Sequence, residues 1–212
     1  MKYFGITVFQ CKYGLKLSKD SYAISNCKNT YKKHHCVPND IYTDKSQQFY
    51  TAKWCEQHRK NCLHNFDLNM HYYASLHQEI FEEELHHFIH NNPYFLAVHD
   101  LNAFFQIPGY YLVVLDHYCQ LYIGSAVNIA KAIRSHWSKN IPFDRLMFPT
   151  NRMDSSLFTI DHFRALDTTR IFAFQTDDIY VYENYFRSAF SPEYSLGTLK
   201  EPRIAISLLG YR

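Results

Sequence analysis

Two groups of side chains in this 212-residue sequence are of types that do chemistry. One is Tyr111, Tyr122, His136 and Glu183: two phenols and an imidazole able to pass protons, and a carboxylate able to hold a hard cation. Each has a plain structural alternative, since strand tyrosines pack, helix histidines face water, and an acid early in a helix complements the dipole. The other is Cys55, His58 and Cys62, at helical spacings, with Cys27, Cys36, His34, His35 and His64 nearby. Thiolates and imidazoles are the donors of structural zinc sites. No Cys-x-x-Cys pair is present, so Zn2+ competes with buried or idle thiols. Glu83, His87 and His90 share one helical face and form a further metal candidate, in a Glu-rich run that also reads as solvated surface.

The stretch that must position the tyrosines and the histidine runs from Gly109 to Trp137. An apolar run ends at Asp116, His117 and Tyr118 make a polar corner, and Cys119 to Ser125 returns as a second strand, which predicts a hairpin. Asn128 stands where a helix N-cap belongs, and Ile129, Ile133 and Trp137 repeat at intervals of four, the stripe of a helix packed on a sheet. Before it, residues 1–10 read as a strand, 11–44 as mostly irregular, and 47–64 as a helix carrying Cys55, His58 and Cys62. Tyr72, Leu76, Ile80, Phe81, Leu85, Phe88 and Ile89 predict one helix from Leu68 to Asn91, stopped by Asn92 and Pro93. Pro108 breaks the chain, and a domain boundary is placed there: 1–107 as a mixed, partly helical N-terminal domain, 108–212 as a second domain.

The formal charge of +2 argues against a globally basic nucleic-acid binder. Between Cys11 and Cys62, however, ten Lys or Arg face four acids, an excess of six positive charges that suits a phosphate surface or a solvated one. With 47% hydrophobic residues, 18 Tyr and 17 Phe, the chain can build a large core. Residues 1–10 lack the pattern of a secretory signal, and no apolar run approaches the ~20 residues of a spanning helix. A cytoplasmic protein with reduced thiols and no membrane association is expected.

Gly109-Tyr110-Tyr111 and Tyr122-Ile123-Gly124, eleven residues from tyrosine to tyrosine in a hairpin and followed by a capped helix reaching His136, resemble the signatures of the GIY-YIG nuclease family. The resemblance covers about residues 109–197, with Tyr110 in place of the middle Ile. It implies an α+β fold with a small three-stranded antiparallel sheet flanked by helices, and a metal-dependent endonuclease that hydrolyses DNA phosphodiester bonds. Arg170 to Gln175 supplies the third strand, and a helix from Asp177 to Phe190 carries Glu183 at the place of the metal-binding glutamate. Pro192 follows as in the usual ending, with Ser195 in place of an Asn. Phosphodiester cleavage needs a base for water, positive charge on the phosphoryl group and a metal at the leaving oxygen. By resemblance Tyr111 and Tyr122 line the pocket and one takes the proton of water. A phenol of reference pKa about 10 does so only with a neighbour that lowers its pKa or relays its proton, and His136 is the candidate. Glu183 would hold Mg2+ or Mn2+ through oxygen.

The family pattern puts a catalytic arginine ten residues after Tyr122, and that position is Ala132. Arg134 is two helical steps away, rotated by about 200°. A loss of about 10² to 10³ in rate is the usual cost of one charge-stabilising group, so the chain is expected to be nearly inactive as given. Three accounts compete: an engineered replacement, favoured because the rest of the site is retained; a naturally non-catalytic binding module; or Arg134 reached through a distorted helix. Lys131, Arg134, Lys139, Arg145 and Arg152 are the cations expected to face nucleic acid, and the segment between Lys139 and Thr169, with Arg164 and Asp161-His162-Phe163, reads as a nucleic-acid-facing loop or, through its Leu146, Met147, Phe148 and Leu157, Phe158, Ile160 clusters, as packing. The rival functions are a non-catalytic nucleic-acid-binding protein and a zinc-stabilised interaction protein.

Overall fold

The computed structural model describes residues 1–9, 15–25, 42–43, 49–139, 141–143, 156–179 and 181–197. Cys27, His34, His35, Cys36, Arg145, Leu146, Met147, Phe148 and Arg152 lie outside the described residues.

The chain begins with a hairpin of β1 (Lys2–Tyr3) and β2 (Ile6–Thr7), then helix α1 (Lys19–Ser25) and a second short pair, β3 (Tyr42–Thr43) with β4 (Phe49–Tyr50). Two helices follow, α2 (Ala52–Ala74) and α3 (Gln78–Asn91), then the two-residue strand β5 (Leu96–Ala97). The central unit is β6 (Gly109–Leu115), β7 (Gln120–Ala126) and α4 (Ile129–Ser138), completed by β8 (Arg170–Gln175) and α5 (Glu183–Arg187). The single helix expected over 68–91 is broken at Ser75, whose hydroxyl donates to Tyr72 O at 2.7 Å and competes with the helical hydrogen bonds.

The main sheet is antiparallel, in the order β5-β8-β6-β7. The expected three strands are present, but the sheet has a fourth. β5 adds to the edge of β8 through Leu96 opposite Ala173 and Ala97 opposite Phe172, and two residues are too short a run for any periodicity to reveal. All seven residues of β6 are buried because helices cover both faces of the sheet. Tyr111, Val113 and Leu115 face a core shared with Ile129, Ile133 and Trp137 of α4 and with Cys62, Phe66 and Tyr73 of α2. Tyr110, Leu112 and Val114 face Phe81, Leu85 and Phe88 of α3 and Phe186 of α5. Burial of each such ring or aliphatic chain contributes about 1.5–3 kcal/mol. Ile6, Leu17 and Tyr22 join the first core, and β5 joins the sheet, so packing is continuous across Pro108.

The helix expected from Asp177 to Phe190 is confined to Glu183–Arg187. The chain before it is tied down by other hydrogen bonds: Tyr110 Oη donates to Asp178 O at 2.7 Å and accepts from Tyr182 N at 2.9 Å. Among the described residues, no helix is long and apolar enough to cross a membrane.

Candidate active site

The two signature tyrosines come together on one face of the hairpin. Tyr111 pairs across the ladder with Gly124, and Tyr122 with Val113, so the rings meet diagonally with centroids 6.0 Å apart. Gly124 makes this possible: a Cβ there would lie 2.7 Å from Tyr111 Oη and 2.8 Å from Tyr122 Cε1. Gly109 serves the backbone instead, with φ of +149° and a Cβ position 2.1 Å from Phe174 O. Both glycines of the motif are therefore demanded by close approach.

Helix α4 brings His136 onto the pair. Asn128 caps it as expected, its side chain accepting from Lys131 N at 2.9 Å, and Ile129, Ile133 and Trp137 bury the stripe that fixes its rotation. His136 then lies with Nε2 2.9 Å from Tyr111 Oη and its ring 5.1 Å from that of Tyr122. On the other side, Nδ1 is 2.7 Å from Asp161 Oδ1, a carboxylate only 2% exposed. Burial pushes the Asp161 pKa up, but the His136 hydrogen bond and the charges of His136 and Lys139 outweigh it and hold the carboxyl below its ordinary range. An ionised carboxylate only accepts, so Nδ1 carries the proton, and whenever the ring is uncharged that tautomer leaves Nε2 to accept from the Tyr111 hydroxyl.

Burial raises both phenols. Tyr111 is pushed well above its ordinary value by burial, by Tyr122 and by the charges of Glu183 and Asp161. Tyr122 is pushed up to about 12, burial and Glu183 raising it and Arg187 pulling it down. Neither is a phenolate at neutral pH, so proton uptake at Tyr111 requires simultaneous release to His136.

Glu183 stands at the first position of α5, beside the end of β7. Ser125 Oγ donates to its Oε2 at 2.6 Å, and Arg187 Nη2 to its Oε1 at 2.9 Å. Arg187 Nη2 also donates to Ile123 O at 3.1 Å, and the guanidinium carbon is 5.9 Å from the centre of the Tyr122 ring. Each carboxylate oxygen of Glu183 has a second lone-pair site beyond these bonds. Mg2+ is ordinarily held by one or two carboxylates together with waters and phosphate oxygens, so this donor set fits a divalent ion shared with a substrate.

Ala132 is half-buried against the core, and no arginine occupies its position. Lys131 and Arg134 are exposed on α4, where they can meet a polyanion. Lys139 is exposed as well, with its Nζ 3.4 Å from Asp161 Oδ2. Asp161, His162 and Phe163 are buried, the packing alternative of the two: a tight turn over Ile160–His162 packs against α4.

The zinc candidates are only partly assembled. His58 Nε2 lies 3.5 Å from Cys62 Sγ and 2.6 Å from Phe143 O, in a stack with Trp54, whereas Cys55 Sγ is 3.9 Å from Tyr50 O. His87 on α3 contacts Asn91 at 2.8 Å. Among the described residues no group of three or more His, Cys, Asp or Glu side chains is placed to hold a metal ion.

Asp161 and Arg187 are the site residues that motif spacing misses. Asp161 lies 25 residues beyond His136 and carries no spacing relation to it. Arg187 is the i+4 partner of Glu183, a signal available in the sequence once that helix is read as presenting both to the hairpin. Comparison of the chain with protein-family models, with curated proteins and with solved structures finds no match in any of the three.

Proposed function

We propose that the chain is a GIY-YIG-type endonuclease, a divalent-metal-assisted hydrolase of nucleic-acid phosphodiester bonds with DNA as its substrate. The observation that carries this reading is the unbroken contact from Tyr111 through His136 to Asp161, on the hairpin face whose end also receives Glu183. A base, a proton acceptor behind it and a group that orients the acceptor are what activation of water requires.

In the step these residues perform, a water oxygen attacks phosphorus as its proton passes to Tyr111 Oη. The proton of Tyr111 moves to His136 Nε2, and the resulting imidazolium is stabilised by Asp161 through Nδ1–H. The phosphorus bond to the leaving oxygen breaks, and that oxygen takes a proton from solvent. The buried phenols make this relay necessary, because a free phenolate is too costly here. Glu183, oriented by Ser125 and Arg187, would hold Mg2+ or Mn2+, which supplies Lewis-acid stabilisation of the phosphoryl and leaving oxygens when bound.

Ala132 favours a second reading, a non-catalytic nucleic-acid-binding protein using Lys131 and Arg134. Incubation with end-labelled single- and double-stranded DNA and RNA, in Mg2+, Mn2+ or chelator, separates the two. Metal-dependent cleavage that Glu183→Ala abolishes supports the nuclease. Salt-sensitive binding without cleavage, in the native chain and in Ala132→Arg alike, supports the binder.

A further inference from the structure

Phosphodiester hydrolysis requires a fixed positive charge on the phosphoryl oxygens, and α4 offers only Ala132 where one is expected. The other described cations near the sheet, like Arg187, already have partners, and none of the ion pairs they make is with Glu183. Arg170 is paired with Glu82 and Asp116, Arg164 donates to Asp161 O and Phe163 O, and Lys139 is paired with Asp161. Lys131 and Arg134 are exposed on α4, unfixed by any ion pair among the described residues.

We propose that Arg187 supplies the positive charge on the scissile phosphate, from α5 instead of α4, an inference that rests on the hydrolase reading above. Three observations place it. Its guanidinium lies between the Glu183 carboxylate at 2.9 Å and the Tyr122 ring at 5.9 Å, so it borders both the metal-binding and the proton-accepting parts of the site. It is held by Glu183 Oε1 and Ile123 O through Nη2 alone, which leaves donors free in a group that carries five. One of those, Nε, is buried without an acceptor, so the hydrogen-bonding capacity of the guanidinium is not used up. The side chain is 29% exposed, enough to be reached and little enough to keep its charge poorly screened. An arginine so fixed does not have to reorganise when charge builds up on the phosphoryl group, which is where such groups have their effect.

The test uses the full chain with Arg187→Gln, Arg187→Lys, Ala132→Arg and the double variant Ala132→Arg/Arg187→Gln, followed by cleavage of end-labelled DNA in Mn2+. Arg187→Gln should lower kcat by about 10² to 10³ with little change in KM. Arg187→Lys, which keeps the charge and loses the fork, should fall between it and the native chain. Ala132→Arg should restore at least about tenfold in the glutamine background, because a cation returns from the other side. In chelator, binding of a phosphorothioate duplex by Arg187→Gln should show a salt slope reduced by about one. Native cleavage that Arg187→Gln leaves unchanged, or a loss that Ala132→Arg does not repair, overturns the assignment. So does a silent native chain that Ala132→Arg switches on, with the hydrolase reading intact. Silence of both the native chain and Ala132→Arg overturns the hydrolase reading itself. Should Arg187→Gln not fold, Arg187→Lys decides: an intermediate rate supports the assignment, and the native rate overturns it.

Discussion

Asp161 Oδ1 lies 2.7 Å from His136 Nδ1, and this buried contact decides which nitrogen of His136 faces Tyr111. Replacing the carboxylate by an amide of the same shape removes that decision. Asp161→Asn can donate to Nδ1 and so favours the tautomer with a proton on Nε2, which cannot take the Tyr111 proton. We expect kcat to fall by about 10² to 10⁴, with the loss shared between Mg2+ and Mn2+ and the melting temperature little changed. A rate near native would remove Asp161 from the relay.

Tyr110 stands where the motif usually has isoleucine, and its hydroxyl anchors Asp178 O and Tyr182 N, directly before Glu183. Tyr110→Phe keeps the ring in its core and leaves a backbone N–H unpaired. Urea unfolding should show a loss of about 1–3 kcal/mol. Mn2+ titration of cleavage should need about tenfold more metal, because the support of its carboxylate is loosened. An unchanged metal midpoint would show that the anchor does not position Glu183.

His162 makes stability depend on pH. It is buried and stacked on Phe158 at 4.8 Å, and burial pushes its pKa down from 6.5 to about 4. Between these values the unfolded chain holds a proton that the native chain refuses. Stability present above pH 6.5 is thus lost as pH falls towards 4, by about 3 kcal/mol in all. Urea midpoints at pH 7 and pH 5 should drop for the native chain and change less for His162→Gln. Equal slopes in the two would place the pH dependence elsewhere.

The hairpin, the Asn128 cap and strand β8 are legible in the sequence because each is specified locally, by alternating or apolar runs and by one capping side chain. The meeting of Tyr111, Tyr122 and His136 is legible only through the resemblance, and hairpin register and the rotation of a single helix bring it about. What escapes is set by distant parts of the chain. Asp161 is brought to His136 by a turn between α4 and β8, β5 is a two-residue strand paired with β8, and the chain before α5 is bonded by the Tyr110 hydroxyl in place of helical hydrogen bonds. The tyrosine that looks like a departure from the motif bonds the chain at Asp178 O and Tyr182 N, just before Glu183.

The proton relay through Tyr111 is the centre of the proposal, and Tyr111→Phe removes one hydroxyl from it while keeping the ring against Tyr122 and Gly124. The measurement is single-turnover cleavage of end-labelled DNA in Mn2+ by the native chain and by this variant. We expect metal-dependent cleavage by the native chain and a rate lower by at least about 10² in Tyr111→Phe. Equal rates in the two, or intact DNA and RNA with the native chain and with Ala132→Arg, would contradict it.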